Sequence, residues 1–290
     1  MMFQFSDCEL SDNSFDTTLD DSLVDKINKC SVDNLSTGDV LFDADETLKL
    51  YEKYEKYDVK KEIPFYNNFS IKIKNVRCVL IDWLIFIVDK YKLEQEVFFL
   101  TVKFIDNYLL YTSCNLTLNN GVLLLTASIL IADKFHSQNY ISMNVLQNLT
   151  DLKLSKKHII EMELQILKVI DYRLNHITIS YYSNMINLDE DCKLLFTYCT
   201  YLTQLYDDLL KYVPSKLVCA SLYLTYFSIG NKDYSKIFEI YNYELLDVKD
   251  CIIDIYSAYV DNKMSLYSFV LKNKFKKVLP LIDPSNLIYN

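Results

Sequence analysis

Glycine is nearly missing from this chain: Gly38, Gly121 and Gly230 are the only three among 290 residues. Phosphate-cradling loops and dinucleotide fingerprints need several glycines within a few positions, because the backbone must come close to an anion. Both are excluded. Histidine is equally scarce, with His136, His158 and His176 alone. No Ser-His-Asp arrangement or metal-ligand spacing organises them, so each reads as a solvated or helix-end residue rather than a base. No metal and no cofactor are expected. Cysteine is present at Cys8, Cys30, Cys78, Cys114, Cys192, Cys199, Cys219 and Cys251 but forms no CxxC pair. Most of these lie in apolar stretches, where a free thiol packs as a small hydrophobe, which points to a reducing compartment. The opening MMFQFSDCELSD lacks the basic and apolar regions of a secretory signal. Uninterrupted apolar runs also fall short of the roughly 18 residues of a membrane span. The expectation is a soluble protein with no membrane partner.

A basic face is lacking too. The formal charge is −9, and residues 1–40 hold nine acids against two lysines, which leaves the remainder close to neutral. A domain that grips nucleic acid through its phosphates needs concentrated positive charge, so no nucleic-acid partner is expected. The same first 40 residues are rich in Asp, Ser, Asn and Thr and read as a disordered acidic tail.

The rest carries helical periodicity. Residues 43–57, DADETLKLYEKYEKY, place Leu48, Tyr51, Glu52 and Glu55 at helical spacing behind an Asp or Thr cap. Val76, Val79, Leu80, Trp83, Leu84, Ile87 and Val88 follow the i, i+3, i+4, i+7 pattern of a buried face. Helices follow at 94–110, at 121–135, which is apolar on nearly every side, and at 155–169, with Ile159, Met162, Ile166 and Leu167 on one face. The 121–135 segment should be a central helix surrounded by others. Residues 217–224, LVCASLYL, repeat the pattern of residues 124–131, LLTASILI, with Ala127-Ser128 matching Ala220-Ser221. A small pair at mid-helix lets neighbours approach closely, which suggests a second stacked copy of the first unit.

Three stretches together resemble the cyclin box of the A- and B-type mitotic cyclins. They are VRCVLIDWLIFIVDKYKLEQEVFFLTVKFIDNYL (76–109), LLTASILIADKF (124–135) and EMELQILKVIDYRL (161–174), with a weaker likeness at YVPSKLVCASLYL (212–224). The resemblance implies an all-α fold of two tandem five-helix cyclin-box domains. Its parts would be a disordered acidic tail (1–40), an N-terminal helix and linker (41–74), the N-terminal box (75–178) and a C-terminal cyclin-like domain (179–290). It also implies a non-catalytic activator of a cyclin-dependent protein kinase in cell-cycle progression, resident in nucleus and cytoplasm.

In that family a lysine and a glutamate anchor the kinase's movable helix; the matching positions are Lys134 and Glu163. Independently of the name, Lys134 ends a helix so apolar that its charge must lie at the rim, and Glu163 stands at the edge of an apolar face. Phe135, Lys156, Lys157, Leu167, Tyr172 and Leu174 match further kinase-touching positions. Arg77 and Asp106 match a partly buried ion pair inside the first box. Val76, Val79, Leu80 and Trp83 match an apolar groove that docks substrates or inhibitors carrying an Arg-x-Leu motif. There the chain departs from the pattern, with Phe86 at the position of an acid and Val122 at that of a glutamine, so the groove should be more apolar. His136 and Ser137 replace two acids after Phe135, and Phe227 stands where the repeat would place a second Lys134. No arginine precedes Arg77, so an Arg-x-x-Leu destruction signal is absent, as is a Lys-Glu-Asn box.

Two other readings use the same fold: a scaffold that binds peptide motifs, or a transcription-type cyclin or general transcription factor relative. A DNA-holding relative would show basic helices and a zinc ribbon, which this sequence lacks. Paired acids such as Asp207-Asp208 read as the solvated face of a tyrosine-rich helix.

Overall fold

The computed structural model describes residues 70–112, 116–148, 154–231, 234–277 and 280. The acidic tail, the expected helix at 43–57 and the linker to residue 69 lie outside the described residues.

Helix α1 (Ile71–Tyr91) begins at Ser70, whose Oγ accepts a hydrogen bond from the Ile73 amide, and stops where Lys92 turns left-handed at φ 56°. It buries Leu80, Leu84, Ile87 and Val88 of the expected periodic set, together with Ile81 and Ile85. Helix α2 (Gln95–Tyr111) follows after three residues. Helix α3 (Leu118–His136) opens a turn earlier than the periodicity suggests, because Thr117 and Asn120 form a reciprocal capping box that satisfies the first amides. A five-residue helix α4 (Met143–Gln147) is too short to leave a periodic signal. Helix α5 (Lys156–Val169) is capped by Ser155, whose Oγ accepts from His158 N.

Helix α3 packs against α1, α2, α4 and α5. Its buried Leu124, Leu125, Ile129 and Leu130 each contribute roughly 1.5–3 kcal/mol by leaving water. It has the length and composition of a membrane span, but it is buried among its neighbours as a core helix. Gly121 is the point of closest approach to α1: a Cβ there would sit 2.8 Å from Leu80 Cδ1.

The chain continues through α6 (Ile179–Ser183), α7 (Glu190–Leu205), a 3-10 turn (Asp207–Leu209), α8 (Pro214–Ser228), α9 (Tyr234–Tyr241), α10 (Leu245–Met264) and α11 (Phe269–Lys274). Helix α8 is surrounded by α6, α7, α9 and α10 much as α3 is by its own neighbours. Ala127, Ser128, Ala220 and Ser221 are all fully buried, as close helix contact requires. Helix is the regular structure among the described residues, and the chain is all-α there.

Two expectations are corrected. Asp207 and Asp208 sit in the 3-10 turn rather than on a helix face, and Lys74 of α1 pairs with Asp207. The Arg77–Asp106 pair is fully rather than partly buried. Arg77 has 0% exposure, donating from Nε and Nη2 to the two Asp106 oxygens at 2.6 and 2.8 Å, and from Nη1 to the carbonyls of Gln204 (2.9 Å) and Leu205 (3.3 Å). One guanidinium therefore ties α1 to α2 and to the end of α7.

A second tie joins α1 to the C-terminal helix. Asp82, buried one turn beyond Arg77, accepts from the Val270 and Leu271 amides at 2.8 and 2.9 Å and so satisfies the free end of α11. Burial raises its carboxyl above the ordinary range, against the lowering effect of those amides.

Breaking a buried pair by removing one partner costs about 3–5 kcal/mol, because the other charge is left uncompensated. Arg77→Met should show a loss of that size in urea denaturation, and adding Asp106→Leu should recover part of it. A second test concerns acid. Desolvation alone would raise Asp254, but hydrogen bonds from Lys211 and Tyr212, each at 2.7 Å, hold it below 3.8. A depressed folded pKa adds stability above the unfolded value that is lost as pH falls through the folded one. Asp254→Asn should therefore flatten the decline of unfolding free energy below pH 3.8.

Candidate partner-binding site

The last turn of α3 carries Lys134, where a cation suits the helix's negative end. Lys134 Nζ lies 2.7 Å from Glu163 Oε1 of α5, with side chains 41% and 12% exposed. The structure thus brings together two residues 29 positions apart, with Glu163 set deeper than an edge position would require.

The turn after α3 is shaped by Asp133. Its buried carboxylate accepts from Ser137 Oγ (2.5 Å) and from the Ile141 amide (2.6 Å), which folds the chain back immediately after the helix. Lys134, Phe135 and His136 are left exposed at the rim, where His136 meets Glu94 at 2.9 Å. At the other end, α5 closes with Asp171 and Tyr172 both left-handed (φ 53° and 56°), and the Tyr172 amide donates to Leu167 O at 2.8 Å. Non-glycine residues in this region cost energy, here accepted in a turn that leaves the Tyr172 ring exposed.

On α5, Ile159, Met162 and Ile166 face the core. Lys156, Ile160, Leu164 and Leu167 line the flank beside that face, with buried Glu163 at its edge next to Ile159 and Lys157 farther out. Ile160, Leu164, Phe135 and Tyr172 are exposed large apolar residues, and Leu167 and Leu174 are half-buried. The result is an ion pair standing in an apolar strip. Sequence reasoning misses Ile160 and Leu164. Their signal is there, as aliphatic residues placed off the periodic face, where exposure has no packing benefit.

The second set of residues separates. Val76, Val79, Trp83 and Val122 are half-buried and Phe86 is 40% exposed, but Leu80 is only 1% exposed. Leu80 is therefore core, pressed beneath Gly121, and does not line a groove. The offset that relates α3 to α8 also relates α5 to α10: buried Ile159, Met162 and Ile166 correspond to buried Ile252, Ile255 and Tyr259. Phe227 and Tyr256 then stand where Lys134 and Glu163 do, so the ion pair is not repeated. Among the described residues no cluster of His, Cys, Asp or Glu could hold a metal.

Lys134 and Glu163 thus pair among exposed apolar side chains on two helices that pack against each other. The described fold is all-helical. The family model described as "Cyclin, N-terminal domain" matches residues 46–175, which include α1 to α5 and the whole of this face. Residues 46–175 of the chain thus carry a cyclin N-terminal domain. The chain is 28% identical over 227 residues to the G2/mitotic-specific cyclin-A of Patella vulgata, covering 74% of this chain and 52% of that one. It is 29% identical over 192 residues to cyclin-A2 of Xenopus laevis, covering 64% and 46%. The chain spans about half the length of these curated relatives. Among solved structures it is similar to the viral cyclin from herpesvirus saimiri, with TM-score 0.59, 15% identity and coverage of 81% of this chain and 99% of that one. It is also similar to a chain of the yeast RNA Pol II CTD kinase CTDK-1 complex, with TM-score 0.55, 17% identity and coverage of 81% and 83%. At these identities both structures speak for the fold alone.

Because the Lys134 end of the pair is 41% exposed, its pairing with Glu163 should add no more than about 1 kcal/mol to folding. Denaturation of Lys134→Ala should give a midpoint close to wild type; a loss comparable to that of Arg77→Met would make the pair structural instead.

Proposed function

We propose that this chain binds a cyclin-dependent serine/threonine protein kinase and activates it as its regulatory subunit, through the face formed by the end of α3 and the outer side of α5. The observation that carries the proposal is the 2.7 Å Lys134–Glu163 pair set among exposed Phe135, Ile160, Leu164 and Tyr172, inside the family-matched segment. In this reading the apolar strip takes up one side of the kinase's movable helix. Lys134 and Glu163 meet backbone and polar groups at its end. Holding that helix draws the kinase's own catalytic lysine and glutamate into register, an order the free kinase does not keep. Lys156 and Lys157 at the start of α5 add positive charge at one edge.

The finer assignment is to cell-cycle progression of the mitotic type, acting in nucleus and cytoplasm. The mitotic part of this assignment is supported by the A-type relatives, one of which is described as G2/mitotic-specific. The likeness to the CTD-kinase complex chain concerns the fold and does not choose between division and transcription.

The test is phosphorylation of histone H1 by a panel of purified cyclin-dependent kinases mixed with the full chain. Wild type should activate at least one. Lys134→Ala, Glu163→Ala and the double variant Ile160→Ala/Leu164→Ala should each weaken binding by roughly thirtyfold, the effect of losing about 2 kcal/mol at a central contact. Variants that stay folded yet activate as well as wild type would move the binding surface elsewhere. Failure of wild type across the panel would remove the kinase reading.

A further inference from the structure

Helix α10 turns one face to its own repeat and leaves the other exposed. Packing against α7, α8 and the 3-10 turn takes up Val248, Cys251, Ile252, Ile255, Ala258 and Tyr259. On the opposite side Leu246, Ile253 and Val260 recur every seven residues and are 79%, 50% and 44% exposed. Asp250, Ser257 and Met264 alternate with them at the second seam position of the same heptad, and all three are exposed. This 20-residue helix thus presents an outward seam three heptads long, aliphatic throughout in one row and closed by Met264 in the other. Leu266, exposed just beyond the helix, prolongs it. Under the offset that relates α5 to α10, Lys249, Ile253, Ser257 and Val260 correspond to Lys156, Ile160, Leu164 and Leu167. The face is the counterpart of the α5 flank without its ion pair, so an occupant here must be oriented by other charges.

Those charges are sorted by side. One flank of the seam carries Lys249, Tyr256 and Lys263, and the other carries Asp247, Asp254 and Asp261. Some are engaged within the chain: Asp254 accepts from Lys211 and Tyr212 at 2.7 Å, Asp247 belongs to the capping box of α10, and Lys263 lies 4.4 Å from the Tyr259 ring centroid. Lys249, Asp250 and Asp261 are exposed. When two identical helices meet seam to seam in parallel, the flanks that face each other are opposite ones; in antiparallel order they are the same ones. A parallel pair of α10 helices therefore sets lysines against aspartates, whereas an antiparallel pair sets lysine against lysine and aspartate against aspartate. A second copy of this chain matches the face by charge in one orientation only.

We propose that two copies of this chain associate through α10, in parallel about a two-fold axis along the seam, with Leu246, Ile253, Val260 and Met264 of each against the same residues of the other. Lys249 then falls opposite Asp254 and beside Asp250 of the second copy, and the Tyr256 hydroxyl falls opposite Asp261; the symmetry makes each contact twice. Asp250 and Ser257 put polar groups into two layers of the seam, which costs stability while fixing the register. The dimer is accordingly weak, with a dissociation constant on the order of micromolar, and is loosened as salt screens the flanking charges. The inference does not depend on the kinase reading, since it concerns the other repeat and is measured without a kinase.

The experiment is sedimentation equilibrium of the full chain at low salt, over concentrations from about 1 to about 100 μM, which bracket the expected constant. Wild type should pass from monomer to dimer across that range. Ile253→Glu/Val260→Glu sets like charges against each other in the seam and should raise the dissociation constant roughly a hundredfold. Both side chains are exposed, so the core is untouched, and circular dichroism checks that the helix content is that of wild type. Orientation is read separately by mild oxidation. The parallel seam brings residue 246 of one copy to residue 246 of the other, so Leu246→Cys should form a disulfide-linked dimer well beyond any wild-type background. A wild type that stays monomeric throughout would overturn the proposal. So would a dimer indifferent to Ile253→Glu/Val260→Glu, or cross-linking that appears only when Leu246→Cys is mixed with Met264→Cys, since the copies would then lie antiparallel.

Discussion

The structure depends on a charge with no access to water. Arg77 is an obligatory cation in the middle of an apolar core, and burying it is tolerable only because a bidentate carboxylate and two backbone carbonyls surround it. Those partners come from three places: α1 carries the guanidinium, α2 the carboxylate, and the end of α7 the carbonyls. The geometry is specific in a way apolar packing is not, because a register shift of one residue would strand the charge. Helix α1 is thus locked at once to its neighbour in sequence and to a helix more than a hundred residues away. Asp82 closes the same helix against the amides of α11, and Lys74 reaches the turn after α7.

That lock has a functional consequence. Helices α2 and α3 pack closely, and α3 and α5 pack closely, so fixing α1 and α2 fixes the face at the far side of α3. Asp133 finishes the work locally by folding the chain back after α3. A partner that meets this face meets side chains already in place, which lowers the ordering cost of association. In the absence of a partner Lys134 and Glu163 satisfy each other, so neither charge is left unpaired at the edge of an apolar surface. The apolar residues around them supply area, while the pair supplies orientation.

Much of this is legible in the sequence. The periods of α1 and α5 and the all-round apolarity of α3 are direct images of burial, and the small pairs Ala127-Ser128 and Ala220-Ser221 mark the two central helices. Lys134 and Glu163 are legible as a pair only through the resemblance, since neither periodicity nor spacing connects positions 134 and 163. Other features leave no trace. The carbonyls of Gln204 and Leu205 carry no side-chain signature, so the tie from Arg77 to α7 cannot be read. Asp82 looks like one acid in an apolar helix, because its partners are the amides of a helix 188 residues later. Leu80 reads as part of a groove because it lies next to that face on the helix, whereas the absent side chain of Gly121 lets α3 cover it. The tail before residue 70 has acidic composition but no described structure to compare.

Hydrogen–deuterium exchange of the full chain, alone and with an activated cyclin-dependent kinase, tests the central claim most directly. The account predicts new protection confined to the turn after α3, the start of α5 and the left-handed turn at Asp171 and Tyr172, with exchange in α8 and α10 unchanged. Protection centred on α8 and α10 with none around Lys134 would contradict it, because the partner would then use the half of the chain that lacks the ion pair.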